Sequence, residues 1–363
     1  MRRIFLIYLF LFGIFVNITL CQDPNFSNFE QNPLYYNPAF PGLVECMDFR
    51  VSHRNQWYEL PGTFNTTLIG ASIKLPPPLG CGILLASDEE GEGYLKTIFG
   101  GIGTSLSFKV DNNKTFSLGY MVKVNYKKID WSKLEFDDQY DELYGKIYPT
   151  SFIPPQTDGR WFVDPLNLGF MFRYEFRQKQ IRNPIKQPNL TIGYSLSHGT
   201  KPIQSLLGVD RLLEKKSVFH MNGLFWFNEK YGINPGIIYE SQSDFETITF
   251  GSNLYFGPLY LSNWIRNKNF KSINLDSYIF GGGITSVGKQ KYMLGLSYDF
   301  TLSKLKGGTN GTIELFLSAE LTDKCLFKSK KKSKSYIKRE REKSYKCPEE
   351  PWLERIKKRI KFA

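Results

Sequence analysis

Beyond its first 21 residues, the sequence lacks any apolar run of the ~18 residues that a membrane-spanning helix needs. Histidine is scarce, with only His53, His198 and His220, and no GxSxG, HExxH or P-loop spacing occurs. Ser197 and His198 are neighbours in sequence, so in a strand their side chains would point to opposite faces. These absences argue against a helical membrane protein and against an enzyme. We expect no catalytic residues, no bound metal and no cofactor.

The N-terminus has the composition of a secretory signal peptide. Arg2 and Arg3 precede a mostly apolar run, residues 4–20, that is short for a spanning helix. We expect residues 1–21 to be the signal peptide and cleavage to occur before Gln22. Lipidation of Cys21 and an uncleaved membrane anchor are the alternatives.

Cysteine is also rare. After such a cleavage four cysteines remain, namely Cys46, Cys81, Cys325 and Cys347, without the CxxC or Cys/His spacing of a metal site. An exported protein can form disulfides. Cys325 and Cys347 bracket part of the C-terminal tail and could be joined to each other. Free or incidentally paired thiols are the alternative.

What the sequence has in abundance is strand pattern. Aromatic residues make up 16 %, with 30 Phe and 21 Tyr, at a mean hydropathy of −0.32. Between residues 47 and 321 the chain breaks into segments of roughly 9–14 residues, the length of a tilted spanning strand. They predict about fourteen strands: 47–57, 63–75, 80–87, 95–110, 115–127, 166–177, 189–199, 217–228, 232–242, 246–256, 258–266, 275–287, 289–303 and 311–321.

Within these segments apolar and polar side chains alternate. In residues 115–127, one face carries Phe116, Leu118, Tyr120, Val122, Val124 and Tyr126, while the other is small or polar. A closed sheet with one apolar face can cross lipid, which admits only helices and barrels. The fold class predicted is all-β: a transmembrane up-and-down antiparallel β-barrel over residues 47–322. A soluble β-sandwich or propeller is the alternative.

The links between strands suggest the orientation of the barrel. Short turns such as 111–114 alternate with long links, notably 128–165 and 200–216, which follow odd-numbered strands. Residues 22–46, rich in proline, are predicted to be a periplasmic N-terminal lead-in without regular structure. An N-terminus in the periplasm would place the long links outside the cell, as is usual for such barrels.

Net charge is concentrated at the C-terminus. The whole chain carries +12, but residues 324–363 hold 16 Lys and Arg against five Glu, a net of +11. A nucleic-acid-binding protein would spread positive charge over a folded face, so nucleic acid is not an expected partner. We expect residues 323–363 to form a basic periplasmic tail.

Short motifs spread in order along the chain add a family resemblance. They are Gln22-Asp23-Pro24-Asn25-Phe26-Ser27, Asn37-Pro38-Ala39-Phe40-Pro41-Gly42, Arg54-Asn55-Gln56-Trp57, Ser195-Leu196-Ser197-His198 with Lys201-Pro202, and Leu296-Ser297-Tyr298-Asp299-Phe300 with Ser303-Lys304-Leu305, Gly311 and Glu314. As an ordered set they resemble the PorP/SprF family of type IX secretion and gliding systems. The tail from Lys324 departs from that family in its length and charge.

The resemblance implies an outer-membrane location and a non-enzymatic role. Members of that family support export or surface anchoring of a cognate secreted protein, their client, and are linked to periplasmic parts of the machinery. The partners expected from it are outer-membrane lipid, a secreted surface protein and periplasmic machinery proteins. The alternative function is a diffusion porin or small-solute transporter.

Two segments are candidates for docking partners. The link 128–165 mixes acidic and aromatic side chains, a composition suited to protein contacts; its candidate client-docking residues are Trp131, Asp137, Asp138, Tyr140, Asp141, Tyr144 and Trp161. A loop folded into the barrel mouth as a constriction is the alternative. Residues 351–362 have the pattern of a short basic amphipathic helix, whose candidate periplasmic docking residues are Trp352, Arg355, Lys357, Lys358 and Arg359.

Overall fold

A computed structural model describes residues 23–327, apart from residues 61, 92–94, 155–158, 177, 179–180, 182–185, 205–209, 271, 289, 304–308 and 323–324. None of the helices in this part of the chain is long and apolar enough to cross a membrane. The predicted tail residues Trp352, Arg355, Lys357, Lys358 and Arg359 lie outside the described residues.

The described chain forms a closed antiparallel barrel of fourteen strands, so the predicted fold class is confirmed. Each barrel strand pairs with the next barrel strand along the chain, and the first strand closes the sheet by pairing with the last. The barrel strands are β1 (Met47–Gln56), β2 (Thr63–Lys74), β3 (Leu79–Gly91), β4 (Leu95–Lys109), β5 (Lys114–Lys128), β8 (Gly159–Glu175), β9 (Asn189–Ser197), β10 (Lys216–Trp226), β11 (Tyr231–Gln242), β12 (Phe245–Phe256), β13 (Leu259–Lys268), β14 (Leu275–Val287), β15 (Gln290–Thr301) and β16 (Thr312–Leu321). A separate hairpin, β6 (Tyr140–Asp141) with β7 (Gly145–Lys146), lies in the link between β5 and β8.

Burial around the barrel is the reverse of that in a soluble protein. On β15 the apolar Leu294 and Leu296 are about half exposed, while Ser297 and Asp299, on the opposite face of the strand, are buried. The same alternation holds on β5, where Leu118 is exposed and Ser117 is fully buried. An apolar outer face over a polar interior is the arrangement that lipid requires of a barrel.

The strand boundary that differs most from its prediction is the start of β8. Strand β8 begins at Gly159 rather than at residue 166, so Trp161 belongs to the barrel wall and not to the loop. Proline interrupts a strand because it lacks an N–H donor. Pro165 is accommodated because the register of β5 against β8 shifts between Met121 and Lys123, a local irregularity that leaves this position unpaired.

The two ends of the barrel differ. We call the end where β1 begins and β16 ends the base, and the opposite end the mouth. The links at the base include the short turns 75–78, 110–113 and 257–258, whereas the two longest links, 129–158 and 198–215, lie at the mouth. This asymmetry agrees with a base in the periplasm and a mouth at the cell surface.

Residues 23–46 differ most from the prediction. Instead of an irregular lead-in beside the barrel, they form three short helical turns, Phe29–Gln31, Pro33–Tyr36 and Phe40–Leu43. They lie inside the barrel, in contact with inward-facing residues around its whole circumference. Asp23 contacts residues at the mouth and Cys46 precedes β1 at the base, so this segment runs the length of the lumen. We refer to residues 23–46 as the plug.

A disulfide closes the base of the barrel. Cys46, at the end of the plug, is bonded to Cys325, just beyond β16, and Cys81 is free. The sequence-based option of a bridge between Cys325 and Cys347 is therefore wrong. β1 pairs with β16 from Met47↔Leu321 onward, and this pairing brings the two cysteines together although 279 residues separate them.

Peptide mapping can test this pairing. Mass spectrometry of the unreduced, protease-digested protein is expected to recover Cys46 linked to Cys325 and to recover Cys81 as an alkylated thiol. The variant Cys347→Ser should leave the crosslink intact. A crosslinked peptide that joins Cys325 to Cys347 would contradict the structure.

Candidate functional site

The plug lies against parts of the barrel wall where glycine residues leave no side chain between the sheet and the plug. A Cβ at Gly119 on β5 would stand 2.2 Å from the Ala39 nitrogen, and one at Gly80 on β3 would stand 2.6 Å from the Pro41 carbonyl oxygen. At Gly169 on β8 it would lie 2.2 Å from Oδ1 of Asn37. Glycine is required at these positions because the plug backbone touches the sheet directly.

Five barrel side chains bind backbone carbonyl groups of the plug. The hydroxyl groups of Ser117 and Ser195 donate to the carbonyl oxygens of Ala39 (2.6 Å) and Tyr36 (2.5 Å). Three guanidinium groups do the same, from Arg266 to Phe26 (2.8 Å), from Arg50 to Glu30 (2.7 Å) and from Arg173 to Leu43 (3.1 Å). These donors satisfy backbone groups that the short helical turns leave unpaired.

Aromatic side chains of the plug fill the centre of the lumen. Phe29 packs edge-on against Trp264 of β13, with ring centroids 5.3 Å apart. Tyr35 lies between two inward-facing ammonium groups, with its ring centroid 5.9 Å from Nζ of Lys123 and 5.2 Å from Nζ of Lys216. Such cation–π contacts are favourable where the cation is removed from bulk water. The plug is therefore held in the lumen by both its backbone and its side chains.

A buried ionic cluster holds the mouth half of the plug. Nη1 of Arg54 on β1 lies 3.2 Å from Asp299 and 3.5 Å from Glu314, and Arg266 shares Asp299 at 3.3 Å. Glu314 also accepts a hydrogen bond of 2.6 Å from the backbone N–H of Ser27, and Arg54 donates to the Ser27 hydroxyl. Two cations and two carboxylates balance, so the cluster can be buried without net charge.

His198 fastens the first described residue of the plug. Its Nε2 lies 2.8 Å from Asp23, and its Nδ1 lies 2.8 Å from Asp164 of β8. Burial lowers the pKa of His198, and the positive charge of Lys123 lowers it further. The carboxylates of Asp23 and Asp164 outweigh both effects and raise the pKa of His198 above its ordinary value. Both ring nitrogens therefore face carboxylates in the charged imidazolium form. Neither nitrogen contacts Ser197.

This contact makes a pH-dependent prediction. A raised pKa means that the His198 contribution is complete below about pH 6.5 and is lost as pH rises through the folded-state value. The Asp23 amide, which donates to Gln242, should lose protection from hydrogen exchange as pH rises, beyond the intrinsic increase in rate. His198→Gln should abolish that dependence, while the Ala39 amide, bonded to Asn37, should serve as an unaffected control. Equal pH dependence in the parent protein and in His198→Gln would contradict the assignment.

The plug leaves two separate cavities in the described part of the barrel. A cavity of about 620 Å³ lies at the base, lined by Phe29, Glu30, Phe40, Arg173 and Lys291 among others. One of about 50 Å³ lies at the mouth beside Asp23 and His198. The aromatic centre of the plug lies between the two cavities, with Phe29 and Tyr36 lining the one at the base and Tyr35 lining the one at the mouth.

The mouth link carries most of the predicted client-docking residues. In residues 129–154, Asp138 accepts hydrogen bonds from Thr150 and Ser151, and Asp141 accepts them from the backbone N–H groups of Leu143 and Tyr144. Hydrogen bonds from Ser151 lower the pKa of Asp138, and those backbone N–H groups lower the pKa of Asp141. Both side chains therefore stay ionised at neutral pH.

The aromatic residues of the link are divided between packing and exposure. Trp131 packs on Phe152, with ring centroids 5.4 Å apart, and the Tyr140 hydroxyl donates to Glu135. Asp137 is exposed in the turn Asp137–Gln139. Tyr144 is 76 % exposed, and Leu143 and Ile153 are exposed still further. The link is internally hydrogen-bonded at the mouth instead of folding into the lumen as a constriction.

Trp161 is separated from this group. It lies on β8, stacks obliquely on Tyr126 with ring centroids 4.7 Å apart, and is largely exposed on the outer face of the barrel.

Sequence reasoning missed the plug altogether. The available signal was composition, since residues 24–44 contain five aromatic side chains, Phe26, Phe29, Tyr35, Tyr36 and Phe40, and only one charge, Glu30. A solvated lead-in would be more polar.

Comparison with solved structures finds matches that share little sequence with this chain. It matches the NanC porin at 7 % identity, covering 76 % of this chain and 99 % of that one with a TM-score of 0.37. It matches the toluene transporter TodX of Pseudomonas putida at 12 % identity, covering 80 % and 93 %, with a TM-score of 0.41. A Pseudomonas aeruginosa FadL homologue matches at 11 % identity over 80 % and 93 %, with a TM-score of 0.40.

Comparison of sequences is more informative. No curated protein matches the chain. The family model described as type IX secretion system membrane protein PorP/SprF matches residues 18–319, which include the plug and almost the whole barrel. The chain therefore belongs to the PorP/SprF family of type IX secretion system membrane proteins.

Proposed function

We propose that this protein is a non-enzymatic outer-membrane component that supports export or surface anchoring of one secreted client protein. The client docks on the mouth link, residues 129–154, while the plug keeps the lumen closed. A closed lumen matters because a secretion component must work without making the outer membrane leaky. No reaction is assigned to the protein.

The mouth link supports this proposal through its exposed surface. Leu143, Tyr144 and Ile153 place three large apolar side chains in solvent on a loop that its own hydrogen bonds hold in shape. Over residues 129–154, six Asp and Glu oppose two Lys, which gives a net charge of −4. Exposed apolar anchors on a preorganised acidic surface suit a partner with basic and apolar residues.

The rival function, a diffusion porin or small-solute transporter, is less well supported. A porin of this kind needs a water-filled lumen, and here the plug occupies it. In the described part of the barrel, the base cavity and the mouth cavity are separated by the aromatic centre of the plug.

Substitutions in the mouth link test the docking role. The triple variant Leu143→Ser, Tyr144→Ser, Ile153→Ser removes the exposed anchors without touching the carboxylates that shape the loop. Interface anchors are often worth about 2 kcal/mol or more, so at least one surface protein should fall on the order of tenfold in abundance. Tyr58→Ser, which removes a half-exposed aromatic ring from a different mouth link, is the matched control. An unchanged surface proteome in the triple variant would contradict client docking at this loop.

A second docking role is proposed for the basic tail. Trp352, Arg355, Lys357, Lys358 and Arg359 supply four cations and an aromatic anchor, a combination that suits an acidic periplasmic protein or an anionic lipid surface. This proposal depends on sequence alone.

A further inference from the structure

The plug is held in the manner of a bound peptide. Its internal backbone hydrogen bonds are local, such as Gln31 to Asn28 and Asn37 to Pro33. Within the plug, the Tyr36 hydroxyl also accepts from the Phe26 N–H, and the Tyr35 hydroxyl donates to the Pro24 carbonyl oxygen. The barrel wall supplies further long-range bonds, and five of them end on plug carbonyl oxygens. A segment with little structure of its own and many main-chain contacts to its surroundings has the features of a peptide in a recognition groove.

The wall contacts the polypeptide backbone of the plug with charged donors, and several of these are already balanced by wall carboxylates. Examples of paired cations are Arg50 with Asp48 (2.8 Å) and Lys216 with Glu240 (2.9 Å). Spare N–H donors on Arg50 and Arg266 then reach plug carbonyl oxygens. The middle of the plug, residues 24–44, carries only the charge of Glu30, and Asp23 meets His198 at the mouth. A suitable occupant therefore has few charges and a carboxylate at its mouth end.

The shape of the wall adds a second requirement. Part of the wall is a surface without side chains, formed by Gly80 and Gly82 on β3 and Gly119 on β5. It contacts plug residues Leu34, Pro38, Ala39 and Pro41. Direct contact with backbone suits a chain that is bent by proline and does not form a regular helix. Aromatic side chains occupy the remaining space, as in the contact of Phe29 with Trp264.

We propose that the lumen is a peptide-binding site whose resident ligand is the plug. The site takes a proline- and aromatic-containing segment with few charges, in a non-regular conformation. A segment of this kind on another polypeptide can exchange with the plug when the plug is detached. This site is independent of the client-docking role of the mouth link, and either could be wrong without the other.

The experiment converts the plug into a separable ligand within the intact protein. A recognition sequence for a specific protease is inserted after Glu45, whose side chain is exposed at the base. The full chain is folded, its heat-modifiable migration is verified, and it is then cleaved. A fluorescent peptide with the sequence of residues 23–45 serves as the probe, and anisotropy and gel filtration follow its binding. The same recognition sequence placed between Leu143 and Tyr144 controls for the effect of a nick.

When the chain is cut after Glu45, the N-terminal fragment should stay in the lumen in the absence of added peptide. Excess labelled peptide should then replace it. The protein cleaved in the mouth link should bind no labelled peptide, because its plug remains tethered and outcompetes the probe. The proposal would be overturned if the labelled peptide did not bind the barrel that is cut after Glu45. This holds whether or not the original fragment leaves.

Matched glycine variants make the test specific. Gly119→Val introduces a side chain against Pro38 and Ala39, whereas Gly100→Val on the outer face meets only Leu85, at 3.4 Å. Labelled peptide should bind more than about tenfold more weakly to Gly119→Val and with parental affinity to Gly100→Val. If Gly119→Val does not fold, Ser117→Ala, which deletes the donor to Ala39, should weaken binding severalfold. Parental affinity in the folded wall variants would refute recognition by this wall.

Discussion

Removing plug residues 24–44 is expected to turn a non-conducting protein into an open pore. In planar bilayers the full chain should give almost no steady ionic current, because aromatic side chains such as Phe29 and Tyr35 fill the lumen. A fourteen-stranded barrel is close in size to porins that keep an aqueous channel. Without the plug, the polar inner wall should fill with water and conduct.

Two further variants control this experiment. Gly119→Val leaves the chain at full length but displaces the plug from the wall, so it should also raise conductance. Gly100→Val, on the outer face, should stay closed. Heat-modifiable migration of each variant shows that the barrel has formed. A large steady conductance in the full-length parent, equal to that of the deletion, would show that the plug does not seal the lumen.

Arg54→Met is expected to cause the largest loss of stability among single substitutions. It leaves Asp299 and Glu314, both almost fully buried, with only Arg266 as a cationic partner. Breaking a buried ion pair from one side costs about 3–5 kcal/mol. The Arg54 contact with Ser27 is lost as well, so the mouth end of the plug should loosen together with the barrel.

Unfolding in urea from detergent or lipid, followed by tryptophan fluorescence, measures this loss. Arg160→Met, at an exposed position near the mouth end of β8, should change the free energy of unfolding by less than ~0.5 kcal/mol. The double variant Arg54→Met, Glu314→Gln restores charge balance and should recover part of the loss. If Arg54→Met and Arg160→Met were equally stable, the buried cluster would have no structural importance.

The barrel was predictable because its signal is local. Alternation along a single strand is enough to separate Ser117 from Leu118 or Ser297 from Leu296, and turn residues mark where strands end. The boundary at Pro165 failed for a physical reason: β8 carries one extra residue against β5 at this point, so proline is tolerated where sequence rules predict a break.

The contents of the lumen were not predictable, because they depend on contacts between distant residues. The motif at residues 54–57 drew attention to Arg54, but its partners lie 245 and 260 residues away. Asp23 meets His198 across 175 residues. Proline and asparagine in residues 22–46 have the composition of a loop, and only the glycine-lined wall shows why such a segment is buried.

The docking candidates also separate into residues that a local sequence pattern places correctly and residues that it does not. Tyr144 and Asp141 were chosen because acidic and aromatic residues on a long link are a compositional signal, and both lie on the mouth link; their docking role stays a prediction. Trp161 was grouped with them wrongly, since sequence proximity does not reveal that it points outward from a strand. Asp164, also counted with the acidic loop, is instead a buried partner of His198.

The central claim, that this protein supports a secreted client, is tested most directly by deletion of its gene and quantitative proteomics of the culture medium and the cell surface. Restoring the full chain and restoring the Leu143, Tyr144, Ile153 triple serine variant provide the two comparisons. We expect deletion to remove one or a few proteins from the surface, the full chain to return them and the triple variant to fail. An unchanged set of secreted and surface proteins, accompanied by reduced uptake of a small solute, would contradict the claim and favour a transporter.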